Sequence, residues 1–330
     1  MHIPELRKRT TAALVEFAWR EWAQLGVSAA TPQSDRWAQD PEALLVFTLH
    51  VARREPRLFD ELLDWLRLNG DLVSGRRLTR LSEHDEDRPR PLIGAAVEWA
   101  ADHGSPLRIA LRPQRASEPQ PVFHDLWTPT RADEAFRRHG FLKAPTVPTL
   151  KSARPDTALP INLAFRLRQL FGVGTRAEIV RFLLTSGAPG ATTQEIADAA
   201  ASVKRNVNDA LADLVASGQL GRHTTGNVAR YSLDRRRWAD FLGLEEHEIP
   251  TYRDWPRILG ALTDVDRWLY DPRNEGLDDY LRASEARRLV DRLGNTLAQA
   301  GIAVARAGQG EGYWPSFVAT VAALVAALQD

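Results

Sequence analysis

The sequence predicts a mainly α-helical protein in which three short helices and a β-hairpin lie between two helical domains. Two observations predict this fold class. Apolar residues recur at helical spacing over most of residues 1–105 and 241–330. Between these parts, residues 175–235 hold a regular succession of helix starts, glycine breaks and short strand-like segments. A chain of 330 residues has room for two or three domains of ordinary size.

The N-terminal domain, residues 1–105, is predicted to be helical. Its helical periodicity covers three stretches, residues 4–26, 41–69 and 91–103. A Pro-rich, extended connector follows over residues 106–160, with a short helix near residues 131–139 and a strand near residues 107–111. Because long structureless stretches are uncommon inside compact domains, we expect a domain boundary here.

The central domain, residues 161–240, begins its regular pattern with two helix starts. Thr175 and Glu178 have the spacing of a capping box, in which two side chains satisfy free N–H groups at the start of a helix. Thr192 and Glu195 repeat that spacing further along the chain. Each pair therefore predicts that a helix begins there.

A third helix is predicted over residues 203–217, with Ser202 as its N-cap and Gly218 just after its end. Its apolar side chains form one stripe that faces the core: Val203, Val207, Ala210, Leu211, Leu214 and Val215. The opposite face near its start is polar: Lys204, Arg205, Asn206, Asn208 and Asp209. Several of these side chains are suited to contact guanine, adenine or phosphate. A β-hairpin follows, with strands near residues 219–222 and 228–233.

This order of elements resembles the winged helix-turn-helix domains of MarR- and ArsR-like bacterial transcriptional regulators. The resemblance covers residues 175–235, and the matching string is TTQEIADAAASVKRNVNDALADLVASGQLGRHTTGNVARYSL. It implies that the third helix enters the major groove of duplex DNA. The hairpin, called the wing in that family, would contact the DNA backbone or the minor groove.

The resemblance also implies which side chains contact double-stranded DNA. On the third helix these are Ser202, Lys204, Arg205, Asn206 and Asn208. On the wing these are Arg222, Thr224, Asn227 and Arg230. Regulators of this type are mostly two-fold dimers that contact two half-sites, so we expect a homodimer.

Charge is distributed unevenly along a chain whose formal net charge is zero. Residues 161–237 hold 11 basic and 6 acidic side chains, whereas residues 238–330 hold 9 basic and 15 acidic ones. A basic central part on an otherwise neutral chain fits a local face that binds phosphate.

The C-terminal domain, residues 241–330, is predicted to be helical and to serve in dimerisation or in receiving a signal. Its periodic stretches are residues 255–270, 277–301 and 314–328. The last of them is apolar and rich in alanine, which predicts either burial on more than one side or a place in the homodimer interface. The sequence does not indicate an effector.

Several classes of site are not predicted. The chain has no cysteine, so it holds no disulfide and no thiolate metal site. Its longest apolar run, residues 314–328, is shorter than the about 20 residues that span a bilayer, so no membrane partner is predicted and a cytoplasmic protein is expected. Residues 84–87, His-Asp-Glu-Asp, are interpreted as solvated charges. We predict no cofactor, no metal and no catalytic residue.

The predicted function is sequence-specific binding of duplex DNA by a bacterial transcriptional regulator, with repression the commoner outcome in the resembled families. Two alternatives stay open. A winged helix can instead dock a protein partner, in which case the loss of Lys204 and Arg205 would be tolerated. The chain could also be an enzyme with its site in the N-terminal domain, which would require His50, His84 and His103 to converge with carboxylates in a pocket.

Overall fold

The structure of the protein, a computed structural model, describes residues 2–27, 36–83, 90–111, 118–124, 129–305, 308 and 310–329. The described residues form a mainly helical fold with two small sheets, so the predicted fold class is confirmed at this level. In the part of the chain that the structure describes, no helix is both long enough and apolar enough to span a bilayer.

The N-terminal helices are α1 (Ile3–Gln24), α2 (Pro41–Val51), α3 (Pro56–Asn69), α4 (Gly75–Leu81) and α5 (Arg90–Asp102). The periodic stretch 41–69 is divided because proline disfavours helical backbone in the residue before it. Glu55 accordingly takes φ −134° and ψ 80°, and Pro56 begins a new helix. Helix α4 has only seven residues and was not predicted from the sequence.

The Pro-rich segment contains the strands β1 (Gln120–Pro121) and β2 (Phe141–Leu142), which pair in parallel, with α6 (Glu134–Arg138) between them. The predicted strand at residues 107–111 is wrong, since these residues have irregular backbone. Leu107 is instead buried against the N-terminal helices, and nearby a side chain on Gly70 would collide with the Oγ of Ser105. Val122 and Phe136 are also buried, so parts of this segment pack into the core.

The central elements are α7 (Leu163–Phe171), α8 (Thr175–Thr185), β3 (Ala191–Thr192), α9 (Thr193–Ala199), α10 (Lys204–Ala216), β4 (Gly221–Thr225) and β5 (Val228–Ser232). The strands form one antiparallel sheet in the order β3–β5–β4. Thr192 pairs with Arg230, and Thr225 pairs with Val228 beside the hairpin turn. The predicted hairpin is confirmed, whereas β3 was not predicted from the sequence.

The C-terminal helices are α11 (Arg235–Leu242), α12 (Trp255–Tyr270), α13 (Pro272–Glu275), α14 (Asp279–Gln299) and α15 (Trp314–Ala326). On α15 the larger apolar side chains, such as Phe317 and Leu324, are buried, while Ala319 and Ala322 face solvent. This helix therefore packs into the protein along one face and exposes small residues on another.

Helices from the two ends of the chain share one hydrophobic core. The Phe17 ring of α1 lies 6.0 Å from Phe47 of α2 and 5.4 Å from Trp255 of α12, measured between ring centroids. Residues 1–105 and 241–330, assigned above to separate domains, thus contribute to the same core. A second core is built from α7 to α11 and includes Leu211 and Trp238.

Candidate nucleic-acid interface

The face of α10 that points away from the second core is polar near the start of the helix. Val207, Leu211 and Leu214 are buried, which fixes the rotation of the helix. The remaining side chains of the first turns are exposed: Lys204, Arg205, Asn206, Asn208 and Asp209. The predicted stripe is confirmed for Val207, Ala210, Leu211 and Leu214, whereas Val215 is half-buried. The predicted burial of Val203 is wrong, because 45% of its surface is exposed.

The turn between α9 and α10 differs from the prediction. Ser202 is not the N-cap of α10, because the helix begins at Lys204 and its N-cap is Val203, which provides no side-chain hydrogen bond. The Ser202 Oγ lies 3.4 Å from the Oγ1 of Thr175, and its backbone N–H donates to Ala197. Ala201 takes φ +46° and lies among the four residues, 200–203, in which the chain turns from α9 to α10.

The β4–β5 hairpin is largely exposed. Arg222 and Thr224 on β4 and Asn227 in the turn are accessible to solvent. Gly226 takes φ +58°, a conformation that glycine adopts without strain in a two-residue turn. Arg230 on β5 is also exposed, but one of its Nη atoms donates to the carbonyl of Gly190 and lies 3.7 Å from Glu195. Its guanidinium is therefore partly occupied within the protein.

The predicted capping box at Thr192 and Glu195 is confirmed. The Thr192 Oγ1 accepts from the backbone N–H of Glu195, and the Glu195 carboxylate accepts from the backbone N–H of Thr192 at 2.7 Å. This hydrogen bond to the backbone lowers the pKa of Glu195. Because Thr192 also belongs to β3, the box joins the start of α9 to the sheet.

The predicted capping box at Thr175 and Glu178 is wrong. The N-cap of α8 is Gly174, and no side chain caps this helix. Glu178 points into the protein, where its carboxylate accepts from Arg168 of α7 at 2.7 Å and from Arg181 at 2.9 Å. Two guanidinium groups compensate the buried carboxylate far better than one backbone N–H would, so the side chain turns inward.

Glu178 belongs to a buried network of charged side chains that connects the two cores. Its members are Asp40, Glu42, Arg77, Arg168, Glu178 and Arg181, each at most 4% exposed. Arg77 of α4 donates to Asp40 and, at 3.0 Å, to Glu42. Arg168 donates to both oxygens of Glu42 at 2.8 Å. Three cations and three anions therefore balance across the boundary between the two cores.

The arginines determine the charge state of the network. Burial alone would raise the pKa of Glu178, but Arg168, Arg181 and Arg77 outweigh burial and hold that pKa well below its usual range. Burial would likewise raise the pKa of Asp40, yet Arg77 and Arg181 lower it. This network was not predicted from the sequence. The signal that could have found it is a charged residue within an otherwise apolar helical stretch, as at Arg181.

The histidines considered for an N-terminal active site have separate partners. The Nε2 of His50 is 2.8 Å from a carboxylate oxygen of Asp266, which also accepts from Arg54. His103 stacks on Trp99, and its Nδ1 is 2.7 Å from the Trp99 carbonyl. His84 and the rest of residues 84–87 lie outside the described residues. Within the described residues, no group of three or more acidic or histidine side chains is arranged to hold a metal ion.

Comparisons with protein-family models, with curated proteins and with solved structures find no match to this chain.

Proposed function

We propose that residues 175–235 form a winged helix-turn-helix, that this domain binds duplex DNA sequence-specifically, and that the protein is a transcriptional regulator. In this proposal α10 is the recognition helix and the β4–β5 hairpin is the wing. The observation that carries the proposal is the start of α10, where basic and amide side chains are exposed. Helix α10 packs on the same small core as the exposed hairpin.

The chemistry of α10 suits both parts of DNA recognition. Lys204 and Arg205 offer cationic donors for phosphate or guanine, and Asn206 and Asn208 offer amides that can pair with the edge of adenine. In the described residues none of these four side chains is engaged in an ion pair. They are therefore available to a ligand without first breaking an internal contact.

A homodimer is part of the proposal. Two copies would present two recognition helices to two half-sites, and the added contacts would raise affinity for a site with matching symmetry. Repression of a gene whose promoter overlaps such a site is the outcome that we propose.

The proposal is tested by fluorescence anisotropy with a labelled duplex that covers the DNA upstream of the protein's own gene, titrated with salt. We expect the logarithm of the binding constant to fall steeply as the logarithm of the salt concentration rises. Each phosphate contact should add about −0.9 to the slope. Lys204→Ala/Arg205→Ala should weaken binding by roughly 1–3 kcal/mol for each contact that reaches a base.

The matched control is Lys8→Ala/Arg288→Ala, which removes one lysine and one arginine from exposed positions on α1 and α14. This control should bind as the unchanged protein does. Absence of binding by the folded, unchanged protein would reject the proposal. Equal weakening by both variants would show that only the overall charge matters, and would reject the role of α10.

A further inference from the structure

A cleft of about 960 Å³ lies beside the start of α10. One wall comes from the starts of α8 and α10 and includes Ser202, Val203 and Asn206. The other wall comes from α4 and residues 106–110, which belong to the larger core. The cleft is therefore shared between the proposed DNA-binding domain and the helical body.

The wall opposite α10 carries several arginines. Arg76, Arg80 and Arg108 line the cleft, and in the described part of the chain none of them forms an ion pair. Arg76 and Arg108 are exposed. Arg108 donates to the carbonyls of Ser105 and Leu107 through a single nitrogen, so its other N–H groups stay available.

The acidic side chains of the cleft do not offset these arginines. Glu178 is bound within the buried network, and Asp71 accepts from Arg154 at 2.7 Å. Glu83 is the acidic lining residue that is left without an ion pair among the described residues. Arg77 also lines the cleft but is neutralised by Asp40. Among the described lining residues, the charge left unpaired in the cleft is therefore positive.

We infer that this cleft binds the phosphodiester backbone of the duplex whose bases α10 contacts. The inference rests on the proposed function. Asn206 lies both in the cleft and on the exposed face of α10, so a duplex placed on that face would bring a strand of phosphates to the mouth of the cleft. The arginines of the opposite wall provide the charge that such a strand requires. The helical body thus contributes directly to DNA binding.

The test compares Arg76→Ala/Arg108→Ala with the unchanged protein in the same salt titration, using a labelled duplex of 30 base pairs from the upstream region. Losing two phosphate contacts should make the slope of log K against log salt shallower by about 2 and should weaken binding. The control Arg137→Ala/Arg288→Ala removes two exposed arginines from α6 and α14 and should leave the slope unchanged.

The outcomes separate this inference from the proposed function. If Lys204→Ala/Arg205→Ala weakens binding but Arg76→Ala/Arg108→Ala does not change the slope, the proposed function stands and the inference is wrong. If the unchanged protein does not bind the duplex, both are wrong. Calorimetric titration with inorganic phosphate gives a further check. Phosphate binding that the Arg76/Arg108 variant loses, with an unchanged DNA slope, would assign the cleft to a small anion and overturn the inference.

Discussion

Arg168 of α7 donates from its two terminal nitrogens to the two carboxylate oxygens of Glu42 on α2, each at 2.8 Å. Both side chains are buried. Helix α2 packs in the larger core, whereas α7 places Leu163 and Leu167 in the second core and Phe165 in the larger one. Paired bonds of this geometry are strong and directional, so they fix how the central domain sits on the helical body. We expect this contact to contribute to the position of α10 relative to α4.

Arg168→Met should destabilise the protein strongly, because it leaves Glu42 and Glu178 short of a cation in a buried site. We expect a loss of about 3–5 kcal/mol in the free energy of unfolding, measured with urea. The control is Arg154→Met, which removes an exposed arginine that pairs with Asp71. It should cost at most about 1 kcal/mol. Similar losses in both variants would contradict the importance of the buried network.

Acid should destabilise the protein through the same network. The folded-state pKa of Glu178 is lowered from its ordinary 4.5, so the stabilisation is fully present above that value and is lost as the pH falls toward the folded-state pKa. Urea unfolding between about pH 7 and pH 3 should show a smaller acid-dependent loss in Glu178→Gln than in the unchanged protein. Parallel pH profiles for the two proteins would be inconsistent with this role.

Substitution by glycine usually lowers the free energy of unfolding, but we do not expect it to do so in the turn before α10. Ala201 has φ +46°, a conformation that costs an alanine about 1 kcal/mol and costs glycine little. Ala201→Gly should therefore leave the free energy of unfolding unchanged or raise it by up to about 1 kcal/mol. Ala212→Gly, at an exposed position inside α10, should lower it by about 1 kcal/mol. Equal losses at both positions would contradict the backbone argument.

The two arginines of the wing should contribute unequally to DNA binding. The Arg222 side chain has no hydrogen bond or ion pair among the described residues, whereas the Arg230 side chain is engaged with Gly190 and Glu195. In the salt titration, Arg222→Ala should make the slope shallower by about 0.9, and Arg230→Ala should have a smaller effect. A larger effect at Arg230 would mean that its internal contacts are broken when DNA binds, contrary to this account.

Local patterns predicted much of the helical content. The apolar stripe of α10, the capping box at Thr192 and the hairpin turn at Gly226 are each determined by neighbouring residues, and the structure contains all three. Short elements were missed because they lack such a pattern. The strand β3 has two residues and exists only because β5 pairs with it.

Long-range features were not predictable from one sequence. Nothing near Glu178 shows that Glu42, more than a hundred residues earlier, lies beside the same arginine. Likewise, Phe17 and Trp255 meet because the two ends of the chain pack together. The basic cleft beside α10 is lined by elements that pack in different cores. Its arginines could therefore not be assigned to a site before the fold was known.

The most direct test of sequence-specific DNA binding is selection from a library of random duplexes. The unchanged protein should enrich a common motif, and two copies of that motif in a symmetric arrangement would support a homodimer. Asn206→Ala/Asn208→Ala should still retain duplexes through Lys204 and Arg205, but with a weaker preference for the motif. Recovery of duplexes without any enriched sequence, from protein that is folded and binds DNA, would contradict the central claim.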